Sequence, residues 1–434
     1  MIGHRTHLSV NEKGHLDIGG VDTVELADEL KTPLYVTDED RIRARYGEMY
    51  SAFSSRGYGV KIKYAYKANT SLAILKIFQN LGAGADVLSE GEISVALHIG
   101  LKPEEIIFTG NNKTDEELLY AVQNGVLINL DSVHELKRLK RICSARDVRR
   151  ARVSFRINPA VSPKTHPYLA TGLKESKFGV GHKDALKAYE SAMEDPNLTI
   201  EGIHMHIGSQ ILDAGVYGEA TSRLMNIVCE LKEKLGLYLK FIDLGGGFGI
   251  QYQKSDKFVA PSEFADAIFS VIDAAVEKCS LKRPEILIEP GRFLVADSTV
   301  LLTQVNTVKE THYKKFIGVD SGFNTLARPA LYNAYHEVVD ASRAGEEARE
   351  VVTIAGNVCE SGDILASDRS LPKIVEGDVI ALLDAGAYGL VMASQYNFRP
   401  RPAAVLVSGG RWILIRRRET FDDLINGEIL PPDM

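Results

Sequence analysis

Eight short β-rich runs recur between residues 60 and 289, and a helical stretch separates each from the next. The runs are 60–67, 84–88, 105–109, 126–130, 151–158, 199–206, 239–244 and 285–289. Helical periodicity falls near 71–81, 90–100, 114–124, 132–143, 183–194, 217–235 and 261–279, with one more stretch at 39–55 ahead of the first run. Parallel strands need a crossover between them, so this alternation predicts an α/β architecture: a (β/α)8 TIM barrel with the helices outside.

The faces of the runs add a constraint. In RVSFRIN, Val153, Phe155 and Ile157 share one face, and Ser154, Arg156 and Asn158 share the other. In GIHMHI the inward set is Gly202, His204 and His206. A barrel used only for packing fills its interior with Val, Ile and Leu. This one keeps polar groups for the upper end of the barrel.

After about residue 298 the helical rhythm stops, and VLLTQVNTV, KKFIGVD, EVVTIAG, DVIALLDAG, AAVLV and RWILIRR follow as strand-like runs. They predict a second, mainly antiparallel β domain, a barrel or sandwich, made of residues 1–36 and 299–434. Residues 37–298 form the barrel on this reading. The segment PLYVTD has no place in the barrel count and is expected to pair with the β domain. No repeat or low-complexity stretch interrupts this plan.

Composition narrows the function classes. The 434 residues are 45% hydrophobic and 25% charged, as in a globular protein large enough for two domains. A net charge of −7 gives no broad basic field, so nucleic acid is not an expected partner, and Arg416, Arg417 and Arg418 read as a solvated edge. There is no apolar stretch of membrane-span length, and the opening MIGHRTHLSVNEKGHLDI has no secretory core. A cytoplasmic protein without membrane contact is expected. Cys143, Cys229, Cys279 and Cys359 are scattered without CxxC or metal-ligand spacing, which predicts reduced thiols and no metal site.

Four features fall at the C-terminal ends of barrel runs, where such barrels hold their active sites. Lys67 ends VKIKYAYKAN and offers an amine that can form a Schiff base with a carbonyl compound. Gly245, Gly246 and Gly247 follow a strand in FIDLGGGFGI, where backbone without side chains can approach a phosphate. Glu289 ends EILIEPGR and can pair with a protonated pyridine nitrogen, while His206 presents a flat ring. An aldehyde, a phosphate, a ring nitrogen and a ring face together describe pyridoxal 5′-phosphate.

The runs YAYKAN, HIGSQ, GGG, EPGR, RPALY, CESGD and AYG, in this order over nearly the whole chain, resemble the diaminopimelate decarboxylase family. That family lies within the alanine racemase-like group of pyridoxal phosphate enzymes. Some of the runs also occur in ornithine and arginine decarboxylases; their combination is more specific. The resemblance implies a barrel with a β domain and a head-to-tail homodimer. It implies that Lys67 holds the cofactor, His206 stacks on its ring, Glu289 pairs with the ring nitrogen and Asp86 supports the ring layer. Ser209, Gly247, the stretch Glu289, Pro290, Gly291 and Arg292, and Tyr388 would hold the phosphate. Arg292, Arg328, Tyr332 and Glu360, with Tyr388, would bind substrate, and Cys359 would supply a proton, entering from the partner subunit.

Residue chemistry agrees with decarboxylation. A charged Glu289 keeps the ring nitrogen protonated and the cofactor a strong electron sink, whereas the related racemases, by the same resemblance, carry arginine there. The substrate implied is meso-2,6-diaminopimelate, the product L-lysine. Its distal amino-acid head needs cations for a carboxylate, Arg292 and Arg328, and an anion for an ammonium, Glu360. Ornithine has no distal carboxylate and would leave those arginines unpaired. A decarboxylase of ornithine, arginine or carboxynorspermidine is the neighbouring alternative within enzymes, and a non-catalytic relative that only binds the cofactor is the alternative outside them.

Overall fold

The computed structural model describes residues 5–146, 150–161 and 177–433. The chain divides into two compact units. One comprises residues 45–250 and 257–293, and the other residues 1–44, 251–256 and 294–434. Relative to a barrel drawn at residues 37–298, residues 37–44, 251–256 and 294–298 group with the second unit.

The first unit is a closed barrel of eight parallel strands: Val60–Ala65, Gly84–Val87, Ile106–Phe108, Leu127–Leu130, Ala151–Asn158, Leu198–His204, Phe241–Asp243 and Glu285–Ile288. Neighbours pair in chain order, and the eighth strand closes on the first through Ile288 opposite Ile62. The predicted barrel is therefore present, with each strand within three residues of its expected limits. Three of the helices between strands start at serine or threonine caps: Ser89 accepts from Glu92 N–H, Thr114 from Glu117 N–H and Ser132 from Glu135 N–H. These caps end the loops after the second, third and fourth strands and so fix those loops at the top of the barrel.

Strand alternation divides the interior into layers. Ile107, Leu127, Phe241 and Leu287 form a buried apolar layer. Gly202 belongs to it by omission, since a Cβ there would lie 2.3 Å from the Phe241 ring. Two residues further along their strands stand Thr109, Asn129, Asp243 and Glu289, all buried. On the neighbouring strand Ser154 Oγ donates to Asn129 Oδ1 at 2.9 Å, whereas Phe155 packs outward on helical Tyr189 with ring centroids 4.6 Å apart. The polar face read from RVSFRIN is thus the inner one.

The second unit is built on a sheet of nine strands. Its main path runs Ile364–Leu371, Glu350–Ala355, Lys315–Val319, Thr299–Glu310, Leu34–Asp38, Ala403–Ser408 and Arg411–Arg416, while Val338–Asp340 and Val379–Leu382 pair beside Thr299–Glu310. Most pairings are antiparallel. PLYVTD supplies the strand Leu34–Asp38, between Thr299–Glu310 and Ala403–Ser408. The buried pair of Arg5 with Asp384 ties the start of the described chain to this unit. No helix among the described residues is long and apolar enough to cross a membrane.

The cysteine expectation is corrected. Cys229, on the helix Ala214–Leu235, and Cys279, just after the helix Pro261–Lys278, form a disulfide with Cα atoms 5.8 Å apart. Spacing along the sequence missed it because the two thiols meet only where neighbouring outer helices pack. Cys143 is free and buried, and Cys359 is free and exposed.

Candidate active site

The first barrel strand stops at Ala65, and Tyr66–Ala68 make a single 3-10 turn. That turn carries Lys67 over the strand ends. It is held by Tyr64, whose hydroxyl donates to Asn69 O at 3.0 Å and whose ring stacks on Phe78 at 4.0 Å, and by Ala65 N–H to Pro290 O at 3.3 Å. Lys67 Nζ reaches Asp86 Oδ2 at 2.8 Å, and Asp86 Oδ1 accepts from Thr109 Oγ1. The Asp86 side chain is fully buried, and the Lys67 side chain is 28% exposed. Burial and the charge of Glu289 push the Asp86 carboxyl up even with Lys67 beside it.

After the sixth strand the chain continues to His206 and Ser209, and after the seventh it enters the glycine turn. The two loops are stitched together: Ile211 N–H donates to Gly247 O at 3.0 Å, and Gln210 Nε2 donates to Ile250 O at 2.6 Å. Tyr217, stacked on Phe248 at 4.9 Å, donates its hydroxyl to Gly246 O at 2.6 Å. The glycines are required by these neighbours. A Cβ on Gly246 would sit 2.0 Å from Glu289 O and one on Gly247 2.2 Å from Gly208 O, and Gly247 also has φ +105°. Gly245 N–H donates to Asp243 Oδ1 and Gly246 N–H to His206 Nδ1, at 2.9 and 3.1 Å. Both amides are therefore engaged within the protein, and Gly245 and Gly246 shape the turn sterically.

Because His206 Nδ1 accepts that bond, the ring is the neutral Nε2–H form. Burial, with Lys67 and Arg156 nearby, holds its pKa well below the usual histidine range. Ser209 Oγ accepts from Arg292 Nη2 at 3.0 Å, which brings two of the expected phosphate residues together.

Glu289 directly follows the eighth strand and is 2% exposed. Its Oε2 lies 3.2 Å from His204 Nε2, and its Oε1 is buried without a hydrogen-bond partner among the described residues. Burial pushes Glu289 up, but His204, Lys67 and Arg156 more than offset this, and the carboxyl ends below its ordinary range. Asp243 goes the opposite way: burial and the charge of Glu289 raise it well above the ordinary range. Of this close pair, Glu289 keeps the charge and Asp243 keeps the proton.

The sequence reading singled out neither His204 nor Asp243, nor Thr109. Strand alternation was the available signal, since His204 shares a face with His206, and Asp243 lies two residues after Phe241. In the second unit, Arg328 begins the short helix Arg328–Tyr332 and is buried; its guanidinium lies 4.8 Å over the Tyr252 ring and 2.9 Å from His336 Nε2. Tyr332, like Tyr388, is half-buried. Cys359 and Glu360 are exposed; Cys359 N–H donates to Asn397 Oδ1, and Tyr396 OH donates to Glu360 Oε1, both at 3.0 Å.

A lysine, a buried anion and a glycine turn at the strand ends match a known constellation. The pyridoxal-dependent decarboxylase family, through its pyridoxal binding domain, matches residues 39–296. A diaminopimelate decarboxylase of Methanothermobacter thermautotrophicus is 48% identical over 424 residues, 98% of either chain. The chain belongs to the diaminopimelate decarboxylases. The Bacillus subtilis member is 38% identical over 419 residues, 96% of this chain and 95% of its own. A crystal structure of the M. jannaschii diaminopimelate decarboxylase in co-complex with L-lysine superposes with a TM-score of 0.92 at 40% identity, covering 99% of both chains.

The family cofactor, pyridoxal phosphate, fits the residues present. Glu289 Oε1 is a buried anionic acceptor awaiting a donor, as a pyridinium N–H would be. His204, Asp243 and Glu289 also place ligand atoms within 4.8 Å of one another, spacing that suits a cation. Lys67 and Arg156 already act on the same carboxylate and oppose an added metal charge.

Proposed function

We infer that the protein decarboxylates meso-2,6-diaminopimelate to L-lysine and carbon dioxide, with pyridoxal 5′-phosphate as cofactor. The observation that carries this reading is Glu289, a buried, ionised carboxylate with one open oxygen at the top of the barrel. Bound pyridoxal phosphate supplies an electron sink for the pair released when the carboxylate leaves.

The residue roles are our proposal. Lys67 offers its amine to the cofactor aldehyde, with Asp86 holding that amine between Thr109 and the ring layer. Glu289 keeps the ring nitrogen protonated. His206, neutral and bonded to Gly246, packs its ring against the cofactor face. Gly247, Ser209, Pro290, Gly291, Arg292 and Tyr388 receive the phosphate on a turn shaped by Gly245 and Gly246. Cys359 returns a proton to the carbon that lost carbon dioxide. Arg292, Arg328, Tyr332, Tyr388 and Glu360 read the distal head group. The setting of Arg328 supports its part, since a buried guanidinium fixed by His336 and Tyr252 is prepared for a carboxylate.

We further propose a homodimer in which Cys359 and Glu360 of one chain serve the barrel of the other. Both residues are exposed, and the same unit exposes Leu331, Tyr396 and Phe398 at 54%, 43% and 62%. A biosynthetic role places the protein in the cytoplasm on this proposal, and intracellular disulfides are known among hyperthermophile proteins.

The test is carbon dioxide release with product analysis, offering meso-diaminopimelate, ornithine and arginine separately at equal concentration. Lysine from the first alone supports the reading. Turnover of ornithine or arginine instead would keep the cofactor and overturn the roles given to Arg292, Arg328 and Glu360.

A further inference from the structure

Glu289 does not stand alone in the barrel. Strand register pairs His204 with Arg156 on one side and with Asp243 on the other, so these three lie in one row across adjacent strands. Asp243 in turn pairs with Leu287, two residues before Glu289. Below them the interior is apolar, closed by Ile107, Leu127, Phe241 and Leu287. The histidine and glutamate side chains are each 1% exposed.

Two geometric facts single out the pair His204 and Asp243. His204 Nε2 meets only one oxygen of Glu289, Oε2, at 3.2 Å. Asp243 is fixed at its own Oδ1 by Gly245 N–H at 2.9 Å, which leaves Oδ2 buried without a partner among the described residues, as is Glu289 Oε1. A carboxylate held at one oxygen cannot rotate freely, and its second oxygen then has a defined direction. Two acids this close do not both ionise, so one of them keeps its proton.

We propose that His204 and Asp243 are positioning residues for Glu289: His204 donates to Oε2 and fixes the carboxylate, Asp243 stays neutral beside it so that the charge rests on Glu289, and Oε1 is left as the anionic acceptor for the cofactor ring nitrogen. This rests on the reading of Glu289 as the partner of that nitrogen. The raised pKa of Asp243 and the lowered one of Glu289 agree with the assignment. Neither positioning residue needs to touch cofactor or substrate. Their effect reaches the reaction by keeping charge and direction at Glu289, which sets how strongly the ring nitrogen holds its proton.

The experiment compares binding of pyridoxal phosphate with binding of its 1-deaza analogue, which has carbon in place of the ring nitrogen. Affinities are read by absorbance titration of the full-length protein freed of cofactor. Four variants are compared with the parent: Glu289→Gln, His204→Phe, His204→Gln and Asp243→Leu. The parent should prefer pyridoxal phosphate, and Glu289→Gln should erase most of that preference. His204→Phe and Asp243→Leu should each reduce it about tenfold or more while the analogue still binds, and retained analogue binding certifies the fold. His204→Gln keeps an N–H donor and should recover part of what His204→Phe loses. Equal weakening of both ligands in the His204 and Asp243 variants, or no change in either, would overturn the inference. Should Glu289→Gln itself leave the preference intact, the reading of Glu289 is what fails.

Discussion

Lys63 shows how costly polar placement inside a barrel is. It sits in the interior beside Gly84, 5% exposed, and donates Nζ to Glu105 O at 2.8 Å. Burial lowers its pKa from 10.5 to about 8. Between those values the unfolded chain holds a proton that the folded chain has released, so stability rises with pH across this window, by up to about 3 kcal/mol. Lys63→Met should flatten that rise. The check is the difference in thermal midpoint between variant and parent at pH 7.5 and at pH 10, and an unchanged difference would contradict it. At the site, Glu360→Asp should raise KM for diaminopimelate much more than it weakens cofactor binding; equal loss of both would remove Glu360 from substrate recognition. Lys67 and Glu289 were legible in the sequence because each closes a β-rich run with a group whose chemistry is unusual there. His204 and Asp243 were not, since what distinguishes them is their hydrogen-bond and charge interactions with Glu289, and sequence carries no distances.

Strands and helices were legible nearly to the residue, because period 2 and period 3.6 patterns follow directly from which face is buried. What the pattern could not show was the end of the first strand. Lys67 belongs to a separate 3-10 turn, which lets it leave the strand axis and reach Asp86. The glycine turn was legible as a turn, yet the close contacts that demand glycine come from residues 208 and 289, remote in sequence. Tyr217 anchors it from the helix Ala214–Leu235. Tyr217→Phe should cost about 1 kcal/mol of stability and weaken cofactor affinity a few-fold, read by thermal shift and titration. The disulfide between Cys229 and Cys279 spans 50 residues of sequence, and the chain-entropy limit for such a loop is about 4 kcal/mol. Cys279→Ser should lower the thermal midpoint, and reducing the parent should lower it equally; a midpoint indifferent to reduction would show that the bridge adds nothing.

Across the whole molecule, the residues proposed for the chemistry belong to two units. The barrel carries Lys67, Asp86, His206 and Glu289, and the sheet unit carries Arg328, Cys359, Glu360 and Tyr388. The change from alternating helices and strands to strands alone at about residue 298 made this division readable, whereas residues 251–256 joined the sheet unit without any compositional sign. If active sites combine residues from two chains, mixing inactive Lys67→Ala and Cys359→Ala proteins should restore about a quarter of parental activity, because half of the dimers then carry one intact site. No recovery after subunit exchange would place both residues in one chain's site.

The most direct test of the account is the visible absorbance of the protein titrated with pyridoxal phosphate, measured for the parent and for Lys67→Ala. The account predicts that the parent develops the band of a lysine-bound cofactor and that the variant, still folded, shows only the free aldehyde. A variant with the parental band and full turnover would contradict it.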